Sequence, residues 1–392
     1  MMPVIVLCVL VALLMLGMPL VFAMGIASIS YLAMADVSLA MMTQRMTTAM
    51  DSFLILAIPF FYLAGELMNA CHLTERIVAM ARAFVGHIHG GLAQGNIFAS
   101  MIFAGMSGSA TADTAALGSV LIPAMKKEGY PADFSAAVTV ASAMVGPIIP
   151  PSIGMVIYGA LADVSIGRML LAGIVPGVTI ILVQMIFTWF LARKRGYPRY
   201  PRATLPELGR ATWKGSPALL FPMIIVGGIL SGIFTPTEAA AVAVLYGLCL
   251  GAFVYRNVGF REFWATLQKV SWGSIRVLII IAVASTFSWI MVREQVPQEI
   301  ASFLSGFTDS SAIILTVMIV LLLLVGLFMI ASSAEIVLTP ILVPVVMSFG
   351  VDPVHFGVLM IFCLIIGGGT PPVGVLLFIA QDIAEIPFSK MV

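Results

Sequence analysis

Charged residues are scarce. Asp, Glu, Lys and Arg make up 9% of the 392 residues, against 61% hydrophobic, where soluble domains carry ~25% charged residues. That excludes a soluble globular protein and leaves an all-α polytopic membrane protein. The formal net charge of +1 gives no attraction for a phosphate backbone, so no nucleic-acid partner is expected. Neither a Gly-x-x-x-x-Gly-Lys loop nor a His-Glu-x-x-His helix occurs, so nothing here is built to hydrolyse ATP or to hold a catalytic zinc. Cysteine is sparse: Cys8, Cys71, Cys249 and Cys363 lie scattered in or beside apolar runs, a pattern of unpaired thiols rather than of a disulfide framework or metal site. His72, His87, His89 and His355 fall near predicted membrane surfaces and read as surface groups ahead of a proton relay. The N-terminus has no basic n-region, so it reads as a retained span with the mature chain starting at Met1.

What the chain does have is helices that cannot stay helical. Residues 138–145 and 155–161 are apolar, and between them stand Gly146, Pro147, Pro150, Pro151 and Gly154. The prolines lack a backbone donor and clash with the preceding turn, while the glycines leave helical dihedrals easily. A lipid-spanning helix broken there has unwound backbone at mid-membrane, which must line a cavity or be buried in protein. Ahead of it, residues 88–127 are too short for two full spans around the small-residue stretch Gly105–Asp113. They read as a re-entrant hairpin, entering and leaving on one side.

The two halves of the chain match at a shift of roughly 220 residues. Pro19 answers to Pro236, Leu73 and Ile77 to Val296 and Ile300, Pro123 to Pro344, and Pro150-Pro151 to Pro371-Pro372, in unbroken order. Each half carries an acid in a serine-containing tip, Asp113 or Glu335, then a Gly/Pro break 37 or 36 residues later. The predicted organisation is a first repeat over 1–192, with hairpin 88–127 and broken helix 135–161. A basic cytoplasmic linker follows over 193–215, then a second repeat over 216–392, with hairpin 310–350 and broken helix 354–380. Residues 36–51 read as a polar turn. Residues 256–274, with Phe260, Phe263, Trp264 and Leu267 at i, i+3, i+4 and i+7, read as an in-plane amphipathic helix preceding a separate span.

Five full crossings and one hairpin in the first half make the second half upside down. With the N-terminus outside, 16 of the 19 Lys and Arg fall in inner loops, as the positive-inside rule requires. The span at 169–192 has no counterpart before Val392, so a truncated final helix is expected.

Two inverted halves with hairpins and mid-membrane breaks are the sequence pointer to a secondary transporter of elevator type. Broken helices offer free amides to an anion and free carbonyls to a cation. Ser107, Ser109, Thr111, Ser152, Ser332, Ser333 and Thr370 supply hydroxyls for substrate or ion. The donor set of carbonyls, hydroxyls and carboxylates suits a hard cation such as sodium, and no other cofactor. Asp113 and Glu335 either ligate or cap the outgoing helices. The rival readings are an intramembrane enzyme using Asp113 and Glu335 as an acid pair, a channel, and a stand-alone sodium/carboxylate carrier.

The stretches 90–93, 103–115, 146–152 and 367–372 resemble the large membrane subunit of tripartite ATP-independent periplasmic (TRAP) transporters, over nearly the whole chain. The resemblance implies sodium-driven uptake of a carboxylate, a sialic acid or a C4-dicarboxylate, across the bacterial inner membrane. It implies two partners, a small membrane (Q) subunit and a periplasmic substrate-binding (P) protein. It places one sodium at Ser107, Gly108, Ser109, Gly146, Pro150 and Ser152, and a second at Ser332, Ser333, Gly367, Gly369, Thr370 and Pro371, with the organic acid between the tips.

Overall fold

The computed structural model describes residues 2–71 and 73–391; the expectations for Met1 and His72 fall outside the described residues, as does Val392. Helices account for every regular element among the described residues. A hairpin of α1 (Met2–Met15) and α2 (Leu20–Met34) comes first, then α3 (Ala40–Met50), α4 (Ala57–Ala70) and α5 (Thr74–Val85). The stretch read as a polar turn therefore holds a helix. α3 buries no residue, so its weak apolar pattern gave no signal, and polarity stood in for a loop.

Next come α6 (Gly91–Ser107) and α7 (Ala110–Lys127), α8 (Ala132–Ala143) and α9 (Ile153–Leu161), and the long α10 (Ile166–Arg195). The linker is shorter than its charge suggested. Arg193, Lys194 and Arg195 form the last turn of α10, favourable at a helix C-terminus. α11 (Leu205–Leu230) begins at a capping box in which the Thr204 amide donates to Glu207 Oε2 at 2.8 Å. The nine residues between are strapped to the base of the first hairpin: Tyr200 N donates to Gly86 O at 2.9 Å and Gly91 N to Pro198 O at 3.1 Å.

α12 (Pro236–Cys249) opens on a second capping box, Thr235 with Glu238. Beyond it, α13 (Phe260–Arg293) is one unbroken helix of 34 residues. The predicted in-plane helix is thus the amphipathic beginning of a span, since no proline interrupts it. Phe260 and Trp264 are exposed while Thr266, Val270 and Ser274 are buried. α14 (Val296–Ser305), α15 (Ser311–Gly326), α16 (Ala331–Ser348), α17 (Pro353–Gly368) and α18 (Val375–Ala384) complete the order. α10, α11, α13 and α16 are long and apolar enough to cross a membrane, as is α12 with its π-helical extension.

α4, α11, α12 and α13 pack together with α2, α3 and α5. The hairpin helices and broken helices gather beside them, and the second piece of each broken helix crosses over. α9 packs on α16 and α17, and α18 packs on α7 and α8. The exchange is fixed by contacts such as Lys126 Nζ donating to Ala384 O at 2.8 Å and Tyr158 OH donating to Pro353 O at 2.6 Å.

Candidate functional site

The first tip is a two-residue turn, 108–109. Gly108 has φ +59° and ends α6; Ser109 is extended and caps α7, its hydroxyl accepting from Ala112 N at 3.4 Å. The cap of α7 is therefore Ser109 and not Asp113. The Ser107 hydroxyl donates to Asp113 Oδ1, and Ser109 N donates to Ser107 Oγ at 3.2 Å. Asp113 Oδ2 has no partner among the described residues and overlies Gly146, where a Cβ would stand 2.5 Å from it.

The first break, 144–152, sits directly under this tip. Its Pro150-Pro151 peptide is cis, and its last residue, Ser152, caps α9 by accepting from Met155 N at 3.2 Å while donating to Pro147 O. Tip and break meet backbone to backbone: a Cβ on Gly108 would lie 2.7 Å from Pro151 O.

The second tip differs. Its turn is the apolar stretch 327–330, with Phe328 and Ile330 exposed, and Ser332, Ser333 and Glu335 belong to the start of α16. The helix resumes after a turn without polar residues, so the serines marked the first turn of the outgoing helix and not the bend. The second break, 369–374, also has a cis peptide, Pro371-Pro372, but Thr370 and Pro372 are exposed where the first break is mostly buried. Because of the crossover, Gly369 lies against Met144 and Val140 of the first broken helix, and Glu335 of hairpin two lies against Gly154 of α9.

These pieces enclose a cavity of about 470 Å³. Of the predicted site residues it is lined by Gly108, Ser109, Thr111, Ser332, Ser333 and Glu335. Ser107, Ser152 and Asp113 stand behind that lining, buried at 7%, 1% and 0% exposure. Gly146, Pro150, Gly367, Gly369 and Pro371 also lie off the lining. Thr370 is turned away, its hydroxyl donating to Ile366 O at 2.6 Å.

Sequence reasoning did not single out the part of the lining formed by Tyr62 of α4 and by Gly273, Arg276, Val277 and Ile280 of α13. Arg276 was legible as an arginine at the head of an apolar run, seven residues after Lys269, but read as one more loop charge.

Four helices present their N-termini to this cavity: α7 through Ser109–Thr111, α9 through Ile153 and Gly154, α16 through Ala331–Ser333, and α18 through Val375 and Leu376. Each brings unsatisfied amides and the positive end of a helix dipole. No grouping of three or more His, Cys, Asp or Glu occurs among the described residues, and the cavity offers an anion far more than it offers a soft metal.

A family model for the tripartite ATP-independent periplasmic transporter, DctM component, matches residues 7–392. The chain belongs to this family. The chain is 40% identical over 380 residues to the sialic acid TRAP transporter large permease protein SiaM of Vibrio cholerae, covering 97% of this chain and 89% of that relative. It is 40% identical over 342 residues to the C4-dicarboxylate TRAP transporter large permease protein DctM of Pseudomonas aeruginosa, covering 87% and 80%. Its fold resembles that of the Alcanivorax borkumensis YdaH transporter, with a TM-score of 0.68 at 15% identity over 89% and 82% of the two chains. This DctM-family chain is a multi-pass membrane protein and a transporter component, not an enzyme.

Proposed function

We propose that this chain is the large permease subunit of a sodium-coupled system that imports an organic acid, of the sialic acid or C4-dicarboxylate type, across the inner membrane. The observation that carries the reading is the convergence of four helix N-termini and the Ser109, Thr111, Ser332 and Ser333 hydroxyls on one cavity. Its volume, about 470 Å³, suits a small organic molecule. The relatives are named for a sialic acid and a C4-dicarboxylate, which share a carboxylate.

In this reading the two halves are inverted repeats, with the N-terminus periplasmic. The hairpins and broken helices form a core that carries cargo past the wall of α4 and α13 in an elevator motion. Sodium is held by the first tip with the first break, and a second ion by Ser332 and Ser333 with the second break. A periplasmic binding protein delivers the acid, and a small membrane subunit completes the system.

The test is uptake of labelled N-acetylneuraminate and succinate by the reconstituted system, with sodium and binding protein each added or withheld. Ser109→Ala and Ser333→Ala are expected to raise the sodium concentration for half-maximal uptake by about threefold or more, the loss of one weak hydroxyl ligand each. Unchanged sodium dependence in both variants removes the ion assignment. Full uptake without binding protein makes the chain a stand-alone carrier.

A further inference from the structure

Among the described residues Arg276 is the cation on the cavity lining, and it takes part in neither of the ion pairs seen among them, which join Lys126 to Glu385 and Lys269 to Glu66. Its place on α13 explains why. Lys269, Gly273 and Arg276 stand at i, i+4 and i+7, on one helix face. α4 packs along α13, and the carboxylate it brings to that face, Glu66, is held by Lys269 Nζ at 2.7 Å. One turn along, Tyr62 of α4 faces Gly273, where a Cβ would lie 3.7 Å from its ring. The seam then opens, and Arg276 is exposed to the cavity. Glu335, the acid on the cavity lining, is 2% exposed with Oε1 unpartnered, so acid and cation do not neutralise each other.

An arginine at the head of an apolar run is costly without a partner and marks function by default. The four helix ends attract any anion, since a dipole reads only sign of charge. A guanidinium adds shape: its planar fork matches a planar carboxylate through two parallel hydrogen bonds. We propose that Arg276 is the residue by which the permease recognises the carboxylate of its cargo, from the α13 side of the cavity. The proposal rests on the reading of the cavity as an organic-acid site.

The experiment is uptake of labelled N-acetylneuraminate and succinate by cells carrying the full system, with Arg276→Gln, Arg276→Lys and the double variant Ser109→Ala/Ser333→Ala. Membrane abundance of each variant is measured alongside. Arg276→Gln is expected to raise the half-saturating acid concentration about ten- to a hundredfold, the loss of a charge-assisted pair. Arg276→Lys falls between, and the sodium concentration for half-maximal uptake stays within about twofold for both. If Arg276→Gln fails to reach the membrane, Arg276→Lys decides alone, by a rise of about threefold or more against none. Half-saturation unchanged in the arginine variants, while the double serine variant shifts, overturns the role of Arg276 and leaves the cavity reading standing. No uptake of either acid by the unmodified system overturns both.

Discussion

Gly108→Ala is expected to reduce uptake to less than about a tenth. The residue has φ +59°, which costs an L-residue ~1–2 kcal/mol. The added Cβ would also stand 2.7 Å from Pro151 O and 3.0 Å from Ile153 N, and neither is a side chain that can swing aside. Tip one must lift off the first break, taking the Ser109 cap and the Ser107–Asp113 pair with it. Gly129→Ala separates the two costs. Gly129 has φ +89° with nothing within 4 Å of its Cβ position, so that variant bears strain alone and keeps most of its uptake. Equal uptake by the two variants would show that the tip and break do not need their close approach.

A large loss of stability is expected at the crossing of α15 and α17. A Cβ on Gly367 would lie 2.6 Å from the backbone of Gly326, and one on Gly326 would lie 2.6 Å from Leu364 O. Small residues let membrane helices approach this closely, and the contact leaves no room for a methyl group from either side. Gly367→Ala is expected to destabilise by about 3 kcal/mol or more, at the upper end for overpacking, and to lower the unfolding temperature of the purified chain in detergent. The neighbouring Gly368→Ala meets nothing within 4 Å and serves as the comparison, with an unfolding temperature within a degree or two of the parent. Double replacement at Gly326 and Gly367 is expected to cost less than the sum, because both enlarge the same contact.

How much of this was legible in the sequence depends on whether the cause was local. The breaks at 144–152 and 369–374 are dictated by prolines and glycines acting on their own backbone, and so were readable. The turn at Gly108-Ser109 was readable for the same reason. The start of α11 was not placed, although its Thr204/Glu207 box is a local signal, because the basic residues around it were read as loop. The continuity of α13 was missed on similar grounds: a change in polarity at Ser274 was taken for a boundary where no helix breaker stands.

Partner choice lies further from the sequence. Landmarks at matched spacing identify equivalent pieces of the two halves, yet nothing in that spacing says that α9 leaves the first hairpin to pack on α16. Glu335 consequently faces Gly154 and not the break in its own half. Arg276 belongs to the same class, since only the packing of α4 on α13 decides that Lys269 takes Glu66 and leaves the arginine to the cavity. Thr370 is exposed and its counterpart by count, Ile149, is half-buried, because the second break is less covered than the first.

In the proposed reading the cavity draws negative charge through peptide groups at four helix ends as well as through Arg276, and this separates two things that a purely side-chain site would tie together. Replacing a lining serine or isoleucine changes the shape a cargo must have, while the amides and dipoles behind it persist whatever the residue carries beyond its Cβ. They do not titrate, and only a change of helix boundary removes them. A permease built this way can drift from one acid to another through single substitutions without passing through a form that has lost its hold on anions, and relatives of near-equal similarity can bear the names of very different acids on one shared backbone.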